Sequence, residues 1–228
     1  MPSTADMLLG AGSSLVGLAG LLFLYRALAE GQMTIAAPVS ALFAALIPVI
    51  FGFFTLGAPS LATMIGFGLA LLAVWFISQT DATNWRFLLQ GLRNFADLRL
   101  PLLSGFFFGL YFIVLHQATL NAFFWPLAAG RFAGVVALAL YAFLTCQPAM
   151  PPRDLWGFSL LNGVIDISGN AFYVLAAQTG RIDIAAVLSA LYPASTVLLA
   201  WIFLKERLTW LQIGGVMLAF VAIVLFTL

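Results

Sequence analysis

Three polar side chains recur at steps of four in the apolar segment "LWGFSLLNGVIDISGNAFYVLAAQ", Leu155 to Gln178. They are Asn162, Asp166 and Asn170. Residues four apart lie on one face of an α-helix, and Tyr173 follows about one turn after Asn170. The segment therefore presents a carboxylate and two carboxamides together, a set that can contact a polar solute or a proton.

Asp166 lies deep in this segment. It is about eleven residues from the start, which at roughly 1.5 Å per residue is near the middle of a hydrocarbon layer about 30 Å thick. An ionised carboxylate at that depth is costly, so such groups face a bundle interior or water and often mark a substrate or proton path. The alternative is a buried carboxylate that only bonds a neighbouring helix.

Other residues could act with this face. Arg131, in "WPLAAGRFAGVV", could meet an anionic substrate group or neutralise Asp166 in a structural pair. His116 could bind substrate or relay a proton, or it could be solvated near an interface. Tyr111 and Tyr173 could line a cavity or only pack. The candidate substrate-binding residues are Asp166, Asn170, Asn162, Arg131, Tyr173, Tyr111 and His116.

The amino-acid composition indicates whether the segments that carry these candidate residues are surrounded by water or by lipid. Hydrophobic residues make up 64% of the chain and charged residues 7%, where a soluble domain carries roughly 25% charged residues. The net charge is +1 and the basic residues are scattered, which excludes a nucleic-acid partner. The single cysteine, Cys146, and the lack of metal-ligand spacing predict neither metal nor cofactor. No Walker, HExxH or GxSxG motif is present, so the sequence does not predict an enzyme.

Apolar segments of membrane-spanning length recur along the chain. They are continuously apolar, which favours helices over the alternating strands of a membrane barrel. The sequence thus predicts an all-α polytopic membrane bundle of eight spans: Leu8 to Leu28, Thr34 to Leu56, Leu61 to Ser78, Leu102 to Leu120, Phe123 to Thr145, Leu155 to Gln178, Ile182 to Leu204 and Leu208 to Leu228. The stretch from Gln79 to Pro101 mixes basic and apolar residues, as in an interfacial segment or a solvated loop.

Prolines, a capping residue and small residues add detail to these predicted spans. Pro38, Pro48 and Pro193 fall inside spans two and seven and predict bends. Thr209 is placed to cap the last helix. Small residues in the first span predict close helix contact: Gly10, Ser13, Ser14, Gly17 and Gly20.

The chain also contains an internal repeat. "LLFLYRALAEGQMTIAAPVSAL", from Leu21, and "NAFYVLAAQTGRIDIAAVLSAL", from Asn170, are identical at nine of 22 aligned positions. Their starts lie in spans one and six, and an odd separation reverses the direction of the second copy, which predicts inverted-topology repeats. Spans six to eight repeat spans one to three, so spans four and five lack an earlier partner.

The predicted arrangement is three plus five spans. It divides the chain into a first incomplete repeat (residues 1–78), an interfacial linker (79–100) and a second repeat (101–228). A matching first half would begin about fifty residues before Met1, since each missing span needs roughly 20 residues plus a turn.

These patterns resemble the drug/metabolite transporter superfamily, in the branch of EamA-type domains. The resemblance is carried by "YRALAEGQMTIAAPVSAL", by "FGLYFIVLHQA" and by the run from Gly169 to Leu225 with "SALYP" and "LKERLT". It implies a ten-helix carrier, often coupled to protons, in a plasma or bacterial inner membrane, with membrane lipid and a small-molecule substrate as partners. The implied function is a secondary transporter that exports a small organic metabolite by alternating access.

Two departures keep alternatives open. Glu206 of "LKERLT" falls opposite Ala58, where the family usually repeats an acidic residue, and two leading helices are absent. One alternative is a truncated or accessory subunit that works only with a partner, either a second copy or helices supplied by a longer chain. A less favoured one is an intramembrane enzyme with Asp166 and His116 as acid and base. Orientation also stays open, because the charge distribution places the termini outside the cytoplasm whereas the resemblance implies the reverse.

Overall fold

The computed structural model describes residues 3–30, 33–78, 95–146, 150–205 and 207–227, and within these ranges the protein is all-α, as predicted. The helices are α1 (Thr4–Ala29), α2 (Met33–Leu56), α3 (Leu61–Ile77), α4 (Phe95–Thr119), α5 (Phe124–Leu144), α6 (Trp156–Thr179), α7 (Ile182–Ala190), α8 (Tyr192–Leu199) and α9 (Trp210–Phe226). A 3₁₀ turn (Arg153–Leu155) precedes α6, and a π-helical turn (Ala200–Leu204) follows α8.

Each predicted span coincides with a helix or with the broken helix α7–α8. Among the described residues, six stretches are long and apolar enough to cross a membrane: Thr4–Ala29, Ala36–Leu56, Leu98–Thr119, Phe124–Leu144, Arg153–Thr179 and Ile182–Phe203. Helices α3 and α9 are apolar but shorter, at 17 residues each. Most of the predicted interfacial segment (79–94), and Glu206, lie outside the described residues.

The seventh span is broken, and its proline explains where. Helix α7 ends at Ala190, Leu191 forms a turn, and Pro193 occupies the first turn of α8. Proline is tolerated there because a first-turn N–H has no helical partner to lose. The predicted bend is confirmed at Pro193, whereas α2 continues through Pro38 and Pro48.

Helix α9 begins where its sequence predicts. The Thr209 side chain accepts a hydrogen bond from the Gln212 backbone, and the Gln212 side chain accepts one from the Thr209 backbone. This reciprocal capping box satisfies two N–H groups that lack helical partners. The predicted cap at Thr209 is confirmed.

Helix α1 packs closely against α4 and α5 through its small residues. A Cβ at Gly10 would come within 2.3 Å of the Pro126 carbonyl oxygen on α5. Near the other end, a Cβ at Gly20 would lie 3.1 Å from the Phe108 ring, and Ser104 Oγ donates to the Gly20 carbonyl at 2.9 Å. The predicted close contact is confirmed at both ends of the helix.

Helix α6 has a different environment. From Trp156 to Gly169 every residue is exposed except the half-buried Gly163. Within the described part of the chain, no atom lies within 4 Å of a Cβ built on Gly157, Gly163 or Gly169. The helix is held mainly by its second half, where Val174 and Ala177 are buried.

Substituting alanine at Gly10 tests the tight contact between α1 and α5. Gly10→Ala would force backbone apart, and we expect a loss of about 1–3 kcal/mol in stability, larger than the gain in helix propensity of about 1 kcal/mol. The matched control is Gly12→Ala on the same helix, where a Cβ meets nothing within 4 Å. Thermal unfolding in detergent measures both; equal melting temperatures for the two variants would contradict the packing.

Candidate functional site

A cavity of about 580 Å³ lies between α1, α4, α5 and α6. Its walls are largely apolar, and the polar side chains that reach it come from all four helices. They are Ser13, Ser14, Tyr25, Tyr111, Arg131, Asn162, Asp166 and Asn170. Five of the seven residues predicted from the sequence therefore meet at one cavity.

Arg131 and Asp166 form an ion pair in this cavity. Arg131 Nη2 lies 2.7 Å from Asp166 Oδ2, and the two side chains are 41% and 55% exposed. The pair joins the middle of α5 to the middle of α6. Of the two roles predicted for Arg131, neutralisation of Asp166 is the contact that the structure contains. Because neither charge is fully enclosed, each can still reach a group that enters the cavity.

Tyr111 and Asn170 extend the polar wall beside the ion pair. The Tyr111 hydroxyl donates to Asn170 Oδ1, and Asn170 Nδ2 donates to the Asp166 backbone carbonyl at 2.8 Å. Both ends of the Asn170 carboxamide are thus occupied, which fixes its orientation and links α4 to α6. Asn170 is therefore a preorganised part of the wall.

Tyr173 does not reach this cavity. It is 4% exposed, its hydroxyl donates to the Phe112 carbonyl at 2.8 Å, and its ring lies 4.6 Å from the Phe112 ring. The step from Asn170 to Tyr173 is three residues rather than four, which rotates the side chain from the cavity towards α4. Its contacts are those of a packing residue.

His116 lies in a different place from the other predicted residues. It lines a second cavity of about 510 Å³ at the end of α4, together with Thr119, Asn121 and Gln178. Its Nδ1 atom is buried and has no hydrogen-bond partner among the described residues. The structure therefore separates His116 from Asp166, although the sequence allowed them to act together.

Sequence reasoning missed the contribution of α1 to the cavity. Ser13, Gly17 and Leu21 line it, although the small residues Ser13 and Gly17 predict only close helix contact. The internal repeat could have indicated this contribution. The shift of 149 residues that aligns Leu21 with Asn170 also aligns Ser13 with Asn162 and Gly17 with Asp166. Positions of α1 and α6 that are related by this shift thus line the same cavity.

Long apolar helices around a polar, ion-paired cavity define an integral, multi-pass membrane protein. The sequence comparison is more specific. Residues 98–228 match the EamA-like transporter family, and because this is more than half of the chain, the protein belongs to that family, part of the drug/metabolite transporter superfamily. The resemblance noted from the sequence motifs is confirmed.

One relative adds a shorter match. The chain is 32% identical over 71 residues to an uncharacterized protein, MJ1333.1, of Methanocaldococcus jannaschii. The match covers 31% of this chain and 52% of that protein, so the chain spans about half the length of the curated relative it matches.

The ion pair makes a prediction about stability. Arg131→Gln and Asp166→Asn should each destabilise the protein more than the double variant does, because a single substitution leaves the other charge without its partner near the middle of a membrane-spanning helix. We expect a coupling free energy of roughly 0.5–3 kcal/mol from thermal unfolding of the four proteins. The control cycle is Arg26→Gln with Glu30→Gln, an exposed pair on α1 that should couple by about 0.5 kcal/mol or less. Purely additive effects at Arg131 and Asp166 would contradict the pairing.

Proposed function

We propose that this protein is a secondary transporter that exports a small organic metabolite by alternating access, and that the substrate binds at the Arg131–Asp166 cavity. The observation that carries the proposal is a charged pair at mid-depth in a cavity of about 580 Å³. Sites for small molecules typically occupy about 300–1,000 Å³, and ionisable groups inside a membrane protein typically mark a transport path.

The contacts between α3 and α9 support the proposed inverted repeat. A Cβ on Gly66 would lie 2.7 Å from the Phe226 ring, and a Cβ on Gly215 would lie 2.7 Å from Ile77 Cγ1. The shift of 149 residues exchanges these two contacts, as in a two-fold related interface. At 17 residues each, both helices meet the lower limit for a span of about 17, so we include them in a bundle of eight spans, three plus five.

The position of the cavity supports alternating access. One of its walls is α1, from the proposed first repeat (residues 1–78), and the others are α4, α5 and α6, from the second (101–228), with 79–100 as a linker. Rocking of one repeat against the other would expose the site to either face of the membrane in turn. Surrounding lipid covers the outward apolar side chains.

The ion pair also offers a means of proton coupling. In an exchange of proton for substrate, the site holds one or the other. The ionised Asp166 carboxylate would bind a positively charged or hydrogen-bond-donating group of the substrate, and a proton on Asp166 would remove that charge and release the substrate.

The environment of α6 favours a second candidate, a subunit that functions with a partner. Gly20 on α1 packs against Phe107 and Phe108 of α4, whereas its repeat equivalent, Gly169 on α6, has nothing within 4 Å in the described ranges. A second helix pair equivalent to α4 and α5 would cover α6 and complete the cavity wall. A longer chain or a second copy could supply it.

Asp166→Asn tests the transport proposal. The purified protein is screened for small metabolites that raise its melting temperature, and each binder is then assayed in proteoliposomes with and without a pH gradient. We expect Asp166→Asn to remain folded and to abolish the pH dependence of transport. Glu30→Gln, an exposed carboxylate of similar chemistry, is the matched control and should change nothing. If transport by Asp166→Asn keeps its full pH dependence, Asp166 has only a structural role.

Photo-crosslinking from α6 tests the partner-dependent candidate. A photoreactive side chain at Gly169 should form a protein adduct in native membranes if another helix covers α6. The control position is Gly68 on α3, an exposed helical glycine that likewise has nothing within 4 Å. A protein adduct from Gly169 alone favours a partner; lipid adducts from both positions show that this chain presents α6 to lipid.

A further inference from the structure

The second half of helix α6 is fixed to its neighbours. Val174 and Ala177 are buried in a hydrophobic cluster with residues of α4 and α7. Gln178 Nε2 donates to the Thr119 carbonyl at the end of α4, and the Tyr173 hydroxyl donates to a carbonyl of the same helix. This half of α6 is therefore held along α4 by both packing and hydrogen bonds.

The first half of α6, residues 156–167, is held differently, and we call it the arm. Its residues are exposed apart from the half-buried Gly163, and none of them belongs to the hydrophobic clusters of the described residues. Among those residues, the pair of Asp166 with Arg131 is the one ion pair or hydrogen bond that joins the arm to another helix. A segment with few buried contacts has low local stability. The arm is thus tethered to α5 at a single point.

The junction between the two halves is a weak point in the helix. Ser168 Oγ donates to the Val164 carbonyl and Asn170 Nδ2 donates to the Asp166 carbonyl, both at 2.8 Å. Side-chain bonds of this kind compete with the backbone ladder and often bend a helix. Gly169 lies between them, and neighbouring Gly and Ser residues are a common site of kinks. Residues 168–170 are therefore the place where α6 bends most readily.

The distances along the helix make the arm a lever. Asp166 lies three residues from Gly169, about 5 Å, whereas Phe158 lies eleven residues away, about 17 Å. A kink of about 20° at Gly169 would move Asp166 by about 2 Å and Phe158 by about 6 Å. Loss of an ion pair beside the pivot therefore permits a much larger displacement at the far end.

The far end of the arm borders one end of the central cavity. Helices α1 and α5 begin together at the contact of Gly10 with Pro126, and α6 ends beside the end of α4, so α1 and α5 end at the face where α6 begins. The cavity residues nearest to that face are Tyr25 on α1, Leu138 on α5 and Asn162 on the arm. An outward bend of the arm would carry Asn162 away from the other two and widen this end of the cavity.

We propose that the arm opens and closes this end of the cavity by pivoting at residues 168–170, and that the pair of Asp166 with Arg131 holds it closed. The pair joins the moving segment to α5, which packs against α1 and stays in place. A solute that takes over either charge releases the arm, so the group that enters the site also controls access to it. This purpose rests on the proposed transport function, whereas the pivot and the tether do not depend on it.

Distances between spin labels test the arm in the purified protein without any substrate. In a Cys146→Ser background, Phe158→Cys on the arm is paired with Trp210→Cys at the start of α9. The matched control pair joins Leu175→Cys, on the second half of α6, to Val224→Cys near the end of α9; all four positions are exposed. Both pairs lie within the second repeat, so rocking between repeats does not alter them. We expect double electron–electron resonance to give one narrow distance distribution for each pair.

Removing the tether gives the decisive comparison. Asp166→Asn should add a second population to the Phe158–Trp210 distribution, displaced by about 6 Å, and leave the control pair unchanged. Adding Gly169→Ala should reduce that population about fivefold, because alanine is a much stronger helix former than glycine. Gly163→Ala is the matched substitution away from the pivot. A Cβ at either glycine meets nothing within 4 Å in the described ranges, and Gly163→Ala should leave the population unchanged.

A second variant covers the case in which Asp166→Asn fails to fold. Arg131→Gln removes the same tether from the side of α5 and should give the same second population. An unchanged Phe158–Trp210 distance in the folded variants would overturn the arm, and so would an equal displacement of both pairs, which is a tilt of the whole helix. A released arm in a protein that transports nothing would support the hinge and contradict the transport proposal.

Discussion

Asp166 places a carboxylate near the middle of an apolar, membrane-spanning helix, and its pairing with Arg131 organises the region around it. The pair requires the middle of α5 to lie beside the middle of α6. Helix α5 is in turn pressed against α1 at Gly10, so α1 becomes the facing wall. The ion pair between α5 and α6 and the close contact of α1 with α5 at Gly10 together define the cavity and its polar lining.

Helices α1 and α6 correspond to one another in the internal repeat of the sequence, yet they differ in how much of their surface other helices cover. Ser13, Gly17 and Leu21 of α1 give it a small, close-packing surface, and α4 and α5 cover it. The equivalent positions of α6 carry Asn162, Asp166 and Asn170, and half of that helix is exposed. Three of the polar side chains at the site therefore come from the helix with less protein contact, where water or solute has room to enter.

Most of the fold could be predicted from the sequence because hydrocarbon permits few backbone structures, so long apolar runs are helices. The cap at Thr209 and the break at Pro193 are equally local. The position of Tyr173 could not be predicted, since a step of three residues lies between two faces and only the neighbouring helix decides. The burial of Asp183 was likewise hidden, because a charge at a helix start reads as solvent-exposed until Gly52 is known to face it.

The shift of 149 residues that aligns Gly66 with Gly215 also aligns Ile77 with Phe226, so the contacts Gly66–Phe226 and Gly215–Ile77 correspond to one another as contacts across a two-fold interface do. In a dimer of identical subunits, any substitution appears in both subunits at once, so equivalent positions must stay chemically equal. Joining the halves covalently removes that restriction. The chain can then hold Asp166 on α6 and Gly17 at the corresponding position of α1, so that one wall of the cavity carries a carboxylate and the facing wall a small residue.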